Sequence, residues 1–489
     1  MRSRAPRAEE WHARPVQVFL VGRVAQCFLA LALAGCAGAR HPEKSNLTTA
    51  SVPTLSNPLL QPWTGPHGGV PGFAGVRVEH FEPAIEAAMA EARQELEAIA
   101  ADPEAPSFDN TIARLEAAGR ALRRVQTVFG VWGAGLNGPE FQAVEREMSP
   151  RLAAFADEVV QNERVFRRVA AVYESLRESG QSAEQQRVTW YRYTRLVLAG
   201  ARAKPEEKAR VAEINQRLAS LYTAFSQNVL SDEETYTVVL DTQADLQGLP
   251  DAVRAGAAAA AEERKLPGKW VVANTRSAVE PFLSFSARRD LREKVWRNFV
   301  NRGDNGDAHD NKAIITEVLQ LRAERAKLLG YSSHAHWRLQ DSMAKTPEAA
   351  LQLMEAVWKP AVARVGEEVA DMQALADRES EGSAAAGAKA IRIAPWDYRY
   401  YAEKVRKAKY DLDENELKPY LQLDKLREAL FWVAGELFGF EFSALAGLPV
   451  YHPDVRVWEV KDKASGKHVG LWYFDPYARQ GKRSGAWMN

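Results

Sequence analysis

"RVAEINQRLASLYTAFSQ", Arg210 to Gln227, places Val211, Ile214, Leu218, Leu221 and Phe225 at steps of three and four. That spacing lines the five side chains along one stripe of an α-helix, whereas a strand, with its period of two, would scatter them over both faces. The same period recurs outward in both directions. Ile85, Met89, Ala92, Leu96 and Ile99 form one stripe, Ile112, Leu115, Leu122 and Val125 another, and Leu426, Leu430, Val433 and Leu437 a fourth. Each stripe needs an apolar partner, so the expected fold class is mainly α, built by helix-on-helix packing. No repeat of fixed period with signature positions runs through the chain, which argues against a solenoid.

Punctuation agrees with these helices. Asp109 or Asn110 can cap the second, Asp310 or Asn311 the one ending at Leu329, and Gly330 and Gly439 stand where a left-handed C-terminal residue belongs. β signals come late. "DVRVWEV" (Asp454 to Val460) and "HVGLWYF" (His468 to Phe474) flank "KDKASGK", whose Ser465-Gly466 can turn, and the pattern predicts a hairpin with Gly485 to Met488 as a third strand. Glu379 to Ala390, "ESEGSAAAGAKA", reads as a surface loop between helices.

The 489 residues are 46% hydrophobic and 26% charged, enough apolar material for one large helical domain or two to three smaller ones. Lys plus Arg and Asp plus Glu both number 64, so no global field draws the protein to a polyanion, and no nucleic-acid partner is expected. The Trp and Tyr side chains of Ala394 to Tyr410 read as helix packing for the same reason.

The front of the chain has the order of a secretory leader. Arg14 and Arg23 precede the apolar run Val24 to Gly35, which is short for a membrane span, and Leu33-Ala34-Gly35-Cys36 resembles a bacterial lipobox. Residues 1–35 are therefore expected to be a lipoprotein-type signal peptide and Cys36 the lipid-modified first residue of the mature chain. Cleavage there removes Cys27 and leaves no free thiol, which suits an oxidising compartment, and the acyl chains would anchor the protein to a bacterial envelope, facing the periplasm. Residues 36–75, rich in Pro, Gly, Ser and Thr, read as a flexible tether, and 76–489 as the folded domain.

Candidate chemistry is sparse. "RGDNGDAHDN" (Arg302 to Asn311) has the carboxylates of a calcium loop, but from Asp304 its third and fifth positions are Gly306 and Ala308, which fails the EF-hand spacing, so it reads as a solvated loop ending in a helix cap. His334 and His336 are two apart and share a face only in a strand, while their setting after Gly330 opens a helix. Tyr451-His452-Pro453-Asp454 reads as an extended structural turn. No phosphate-binding glycine loop and no nucleophile elbow occur.

Five stretches do resemble a known family. "PSFDNTIARLEAAGRALRRV" (Pro106 to Val125), "AERAKLLGYSSHAHWRLQDSMAKTPEAALQLM" (Ala323 to Met354), "PWDYRYYAEKVRKAKYDLDENELKPYLQL" (Pro395 to Leu423), "GLPVYHPDVRVWEV" (Gly447 to Val460) and "FDPYARQGKRSGAWMN" (Phe474 to Asn489) are similar to the thimet oligopeptidase family of zinc metallopeptidases, in particular to bacterial peptidyl-dipeptidases. The resemblance runs in order from about Arg77 to Asn489. It implies a helical ellipsoid of two lobes around a deep channel, a small sheet near the C-terminal end, short unfolded peptides as substrates, and a strand at Gly485, Ala486, Trp487 and Met488 flanking the bound peptide.

The resemblance also implies a His-Glu-x-x-His helix, whose two His hold zinc on one face while the Glu acts as general base on the metal-bound water. In this sequence no His is followed by Glu and no two His stand four apart. The expectation is therefore a chain truncated before the zinc-binding helices, a fragment, split gene or pseudo-enzyme, with no catalytic and no metal residue of its own, inactive alone, and with a separately encoded catalytic portion as a conceivable partner. Zinc belongs to the intact family member. The alternative expectation is a lipid-anchored helical protein that binds peptides without cutting them.

Overall fold

Side-chain caps fix where several helices begin. The computed structural model describes residues 57–176, 180–383, 390–411, 414–417 and 419–488, and Cys36 with the leader lies outside them. Ser107 accepts the Asn110 amide at 3.2 Å while Asn110 Oδ1 accepts the Ser107 amide at 2.9 Å, a reciprocal box that starts the helical run Phe108–Ala113. The cap is thus Ser107, two to three residues ahead of the expected Asp109 or Asn110. At Arg114–Ala117 the run ends, because Gly119 takes φ 71° and a new helix, Arg120–Gly135, sets off in another direction. The stripe Ile112 to Val125 is therefore shared by two helices. Asp310 does what was expected, accepting the Lys312 amide at 2.9 Å at the start of Lys312–Leu328. Gly330 and Gly439 both have positive φ at helix ends.

The first core forms where Phe81–Ala100, Arg120–Gly135 and Pro139–Gln161 meet. Phe81, Ile85, Met89, Val125, Trp132, Phe141 and Met148 are buried together, with Phe81 edge-on to Phe129, Trp132 and Phe141. Residues 57–75, expected to be a flexible tether, are packed here. Leu59 and Phe73 join this core, and Asn57 donates to the His80 carbonyl at 2.8 Å. Pro/Gly composition hid these apolar anchors.

The 31-residue helix Pro205–Thr235 is the spine. It lies antiparallel to Pro139–Gln161, joined by Arg146 to Gln227, Thr223 to Ser149 and Asn215 to Asp157, and its other side packs on Lys312–Leu328 through Ile214, Leu218, Leu221, Val318 and Leu321. Beyond it a short ribbon of β1 (Val238–Leu240) and β2 (Trp270–Val272), antiparallel with Val239 opposite Val271, supports Arg276–Phe285 and Arg289–Val300.

Near the C-terminal end three antiparallel strands form a sheet in the order β3 (Phe440–Leu445), β4 (Arg456–Asp462), β5 (His468–Phe474). The predicted hairpin is β4–β5. Its turn closes through Gly466, which donates to the Asp462 carbonyl at 2.8 Å, and Ser465, whose amide donates to Asp462 Oδ1 at 2.7 Å. The third strand, however, is Phe440–Leu445, and Gly485 to Met488 lies outside any sheet. "FEFSAL" does alternate apolar and polar residues from Phe440 to Ala444, but it follows directly on the helix Leu423–Phe438 and has no tight turn joining it to β4, with which it pairs across residues 446–455.

Two helices depart from the covered pattern. Pro347–Ser383 runs through Glu379 to Ser383, so that part of the expected surface loop is helical. Its first half carries Leu351, Met354, Trp358, Val362 and Val365 in solvent, while Met372 and Ala376 further along are buried against Tyr401 of Tyr398–Tyr410. Leu423–Phe438, which holds the fourth stripe, buries none of its residues fully. Among the described residues no helix is long and apolar enough to cross a membrane.

Candidate functional site

The segment following β5 is held by a dense set of polar contacts. Asp475 is gripped by Arg479 through two bonds of 2.8 Å, by Lys482 at 3.0 Å and by the Tyr451 hydroxyl at 3.0 Å. Burial pushes the Asp475 carboxyl up, but the hydrogen bonds from Arg479 and Lys482 outweigh it and hold it at about 2. Burial, with the neighbouring carboxylate, pushes the Tyr451 phenol up in turn. The remaining donors of this segment reach the helices. Arg479 donates to the Gly135 carbonyl at 2.9 Å, the Arg483 amide to the Ala134 carbonyl at 3.0 Å, and the Arg483 guanidinium pairs with Glu145 at 3.0 Å. Asn137 donates its amide to the Gly481 carbonyl at 2.8 Å.

The spine helix closes the other side with its last acids. Glu234 accepts the Gly481 amide at 2.7 Å, and Glu233 accepts the Ser484 hydroxyl at 2.5 Å while pairing with Arg302. Asp475 to Ser484 is thus a fixed bridge from the sheet to two helix ends, and it delivers Gly485, Ala486, Trp487 and Met488 to the surface. Gly485 takes φ 102°, and Ala486 and Met488 are exposed while Trp487 rests beside Gly135. Among the described residues these four belong to no helix or strand.

The histidines fall into separate settings. Burial, then Arg325, Arg322 and Arg338, pushes His334 down to about 4, and its ring leans on Trp337. His336 meets Ser333 at 2.8 Å, with Ser333 capping His334–Arg338 as the helical reading requires. His452 contacts Asp454 within its own turn. Two other groups bring donor atoms within 4.8 Å of one another: His67, Glu459 and His468, and Asp232, Asp307 and His309. In the first, both imidazole Nδ1 atoms meet one oxygen of Glu459, at 3.1 and 3.0 Å, and Lys461 meets the other at 3.0 Å.

Neither group is a His-x-x-x-His pair on one helix, and no His in the sequence is followed directly by the Glu that serves as general base in that motif. The residues present therefore do not build the His-Glu-x-x-His centre, and no catalytic step is derived from them. Sequence reading missed the Asp475 bridge and the pairing of buried Asp397 with Arg289 and Arg292, both at 2.8 Å. The first had a local signal in the i, i+4 spacing of Asp475 and Arg479; the second joins residues over 100 positions apart and had none.

Comparison with known proteins agrees with the motifs. Residues 282–489 match the model of peptidase family M3. The chain is 38% identical over 436 residues to the dipeptidyl carboxypeptidase of Escherichia coli (strain K12), covering 89% of this chain and 63% of that protein. It is 32% identical to a probable cytosolic oligopeptidase A of Arabidopsis thaliana, over 90% of this chain and 62% of the relative, and 29% identical to oligopeptidase A of Escherichia coli (strain K12), over 89% and 62%. The chain thus spans somewhat less than two thirds of these relatives. Residues 282–489 carry a peptidase family M3 domain, and the ordered motifs, the mainly helical architecture and these identities support grouping the chain with that family, the thimet oligopeptidase family.

Proposed function

We propose that these residues build the peptide-holding part of a zinc-dependent oligopeptidase of the peptidyl-dipeptidase kind, and that the zinc-binding helix is contributed from outside them. The 38% identity to a dipeptidyl carboxypeptidase over nearly the whole chain is the observation that carries the reading. The sequence holds no His-Glu-x-x-His, and the outer half of Pro347–Ser383 and the stripe of Leu423–Phe438 expose contiguous apolar residues of the kind that mark a contact surface. In this reading Gly485 to Met488 lies beside the bound peptide, where main-chain bonds hold an extended chain without reading its side chains, and short unfolded peptides are the substrates. The 489-residue chain, incubated with zinc and a quenched-fluorescent oligopeptide, is expected to show no cleavage. Supplying a polypeptide that carries the His-Glu-x-x-His portion of a relative is expected to restore it. Chelator-sensitive cleavage by the chain alone would overturn the proposal.

We also propose that the protein is held on a bacterial envelope, periplasm-facing, through acylated Cys36. Support comes from the order Arg23, apolar run, Leu33-Ala34-Gly35-Cys36. Labelled palmitate should enter the wild-type protein and not Cys36→Ala; equal labelling of both rejects the anchor.

A further inference from the structure

The spine helix Pro205–Thr235 ends on three successive acids, Asp232, Glu233 and Glu234, at the pole where its backbone carbonyls already concentrate negative charge. Glu233 is met by Arg302 and Ser484, and Glu234 by the Gly481 amide. Asp232 has no such cation. It is completely buried, and its Oδ2 accepts the Gly303 amide at 2.7 Å and the Asn305 side chain at 2.8 Å. Its Oδ1 is buried with no hydrogen-bond partner. A buried carboxylate at a helix C-terminus that is only half solvated by the protein is costly unless positive charge comes to it.

The loop Arg302 to Asn311 wraps this helix end and brings a second carboxylate and an imidazole to the same place. One donor atom each from Asp232, Asp307 and His309 lies within 4.8 Å of the others. Asp307 accepts the Tyr236 hydroxyl at 2.7 Å and the His309 amide at 2.8 Å, which leaves carboxylate lone pairs free. Among the described residues neither Asp232 nor Asp307 has a Lys or Arg within ion-pair distance, while Lys312 pairs instead with Asp304 and Asp310.

We infer that Asp232, Asp307 and His309 form a binding site for a first-row divalent metal ion. Two carboxylates with one imidazole form a donor set for Zn²⁺ or Mn²⁺, with zinc the tighter, and the imidazole disfavours Ca²⁺ and Mg²⁺. The ion would join the loop to the helix end that holds Gly481 and Ser484, and so brace the bridge that presents Gly485 to Met488. The inference stands on this cluster alone and does not depend on the peptidase reading. The His67, Glu459 and His468 group serves as its internal control, because there Lys461 already brings positive charge to the carboxylate and both imidazole Nδ1 atoms meet it.

The test uses the 489-residue chain, stripped with chelator and dialysed against Zn²⁺ alone or Mn²⁺ alone, with bound metal and thermal midpoint as readouts. Zinc should bind more tightly than manganese and raise the midpoint. Asp307→Asn and His309→Ala, both at accessible positions that leave Asp232 in place, should each weaken zinc binding by about 10–100-fold, while His468→Ala leaves it unchanged. Absence of zinc binding, zinc affinity unaltered by both substitutions, or loss of zinc in His468→Ala would each overturn the site.

Discussion

Phe81–Ala100 and Leu423–Phe438 carry apolar stripes of the same period and meet opposite surroundings. In the first, Ile85 is 0% and Met89 2% exposed; in the second, Leu430 is 54% and Leu437 69% exposed. One helix, Pro347–Ser383, contains both conditions along its length, with Trp358 70% and Met372 1% exposed. A stripe states that a helix has a face to cover, and the partner decides whether burial contributes stability. The covered half of the molecule should therefore respond to substitution as a packed core, and the uncovered helices as surface.

The strongest way to break this contrast lies at its seam. Asp397 is fully buried just before Tyr398–Tyr410 and is held by Arg289 and Arg292, the latter also donating to the Ser286 carbonyl at 2.7 Å. Asp397→Ala leaves a buried guanidinium without its counter-charge and should cost about 3–5 kcal/mol in denaturant unfolding. A loss below 1 kcal/mol would mean that the seam is solvated. Next in size is the packed side. Leu218, completely buried between the spine and Lys312–Leu328, should lose about 2–5 kcal/mol as Leu218→Ala, because the close-packed site cannot collapse onto the cavity.

What could be read from the sequence follows the same division. Local periodicity gave the buried faces of Phe81–Ala100 and the spine, and the turn chemistry of Ser465-Gly466 gave the β4–β5 hairpin. Both depend on neighbours in sequence. The partner of β4 on its other side, Phe440–Leu445, is joined to it without a tight turn that would mark the pairing, and the packing of Leu59 and Phe73 depends on more distant contacts that their Pro/Gly-rich setting concealed. In the site, the motif marked the segment Phe474 to Asn489, yet the bridge through Asp475, Glu233 and Glu234 and the convergence on Asp232 join residues tens to hundreds of positions apart. The loop Arg302 to Asn311 was rejected for calcium because its own spacing fails, and that test could not see Asp232, which comes from the spine.

The covered side also carries an electrostatic cost that pH can expose. Burial pushes the Asp157 carboxyl up to about 7, against the opposing hydrogen bond from Asn215 and the charge of Arg325. Because this folded-state pKa lies above the unfolded value near 4, the native state binds the proton more tightly. Its contribution to stability is complete below pH 4 and is lost as pH rises through 7. Asp157→Asn should therefore be about 1–3 kcal/mol more stable than wild type at pH 8, with the gap narrowing toward pH 4. The difference between the two proteins is the quantity to follow, since His334, pushed down to about 4, titrates with the opposite sign over part of this window. A gap that stays constant from pH 4 to 8 would show Asp157 ionised throughout.

The smallest effect is the sharpest statement of the contrast. Leu430 sits at the centre of the stripe on Leu423–Phe438, and its neighbours Leu426, Val433 and Leu437 are exposed with it. Leu430→Ala should change the unfolding free energy of the 489-residue chain by less than about 0.5 kcal/mol, although the same exchange at Leu218 is severe. Leu430→Glu should likewise leave stability near wild type and raise the concentration at which the chain stays monodisperse, because it interrupts a contiguous apolar patch. If a catalytic portion covers this stripe, both substitutions should weaken that association while leaving the isolated chain intact. A loss of 2 kcal/mol or more in the isolated chain would instead mean that Leu430 is already buried there, and the distinction between covered and uncovered stripes would fail at its clearest position.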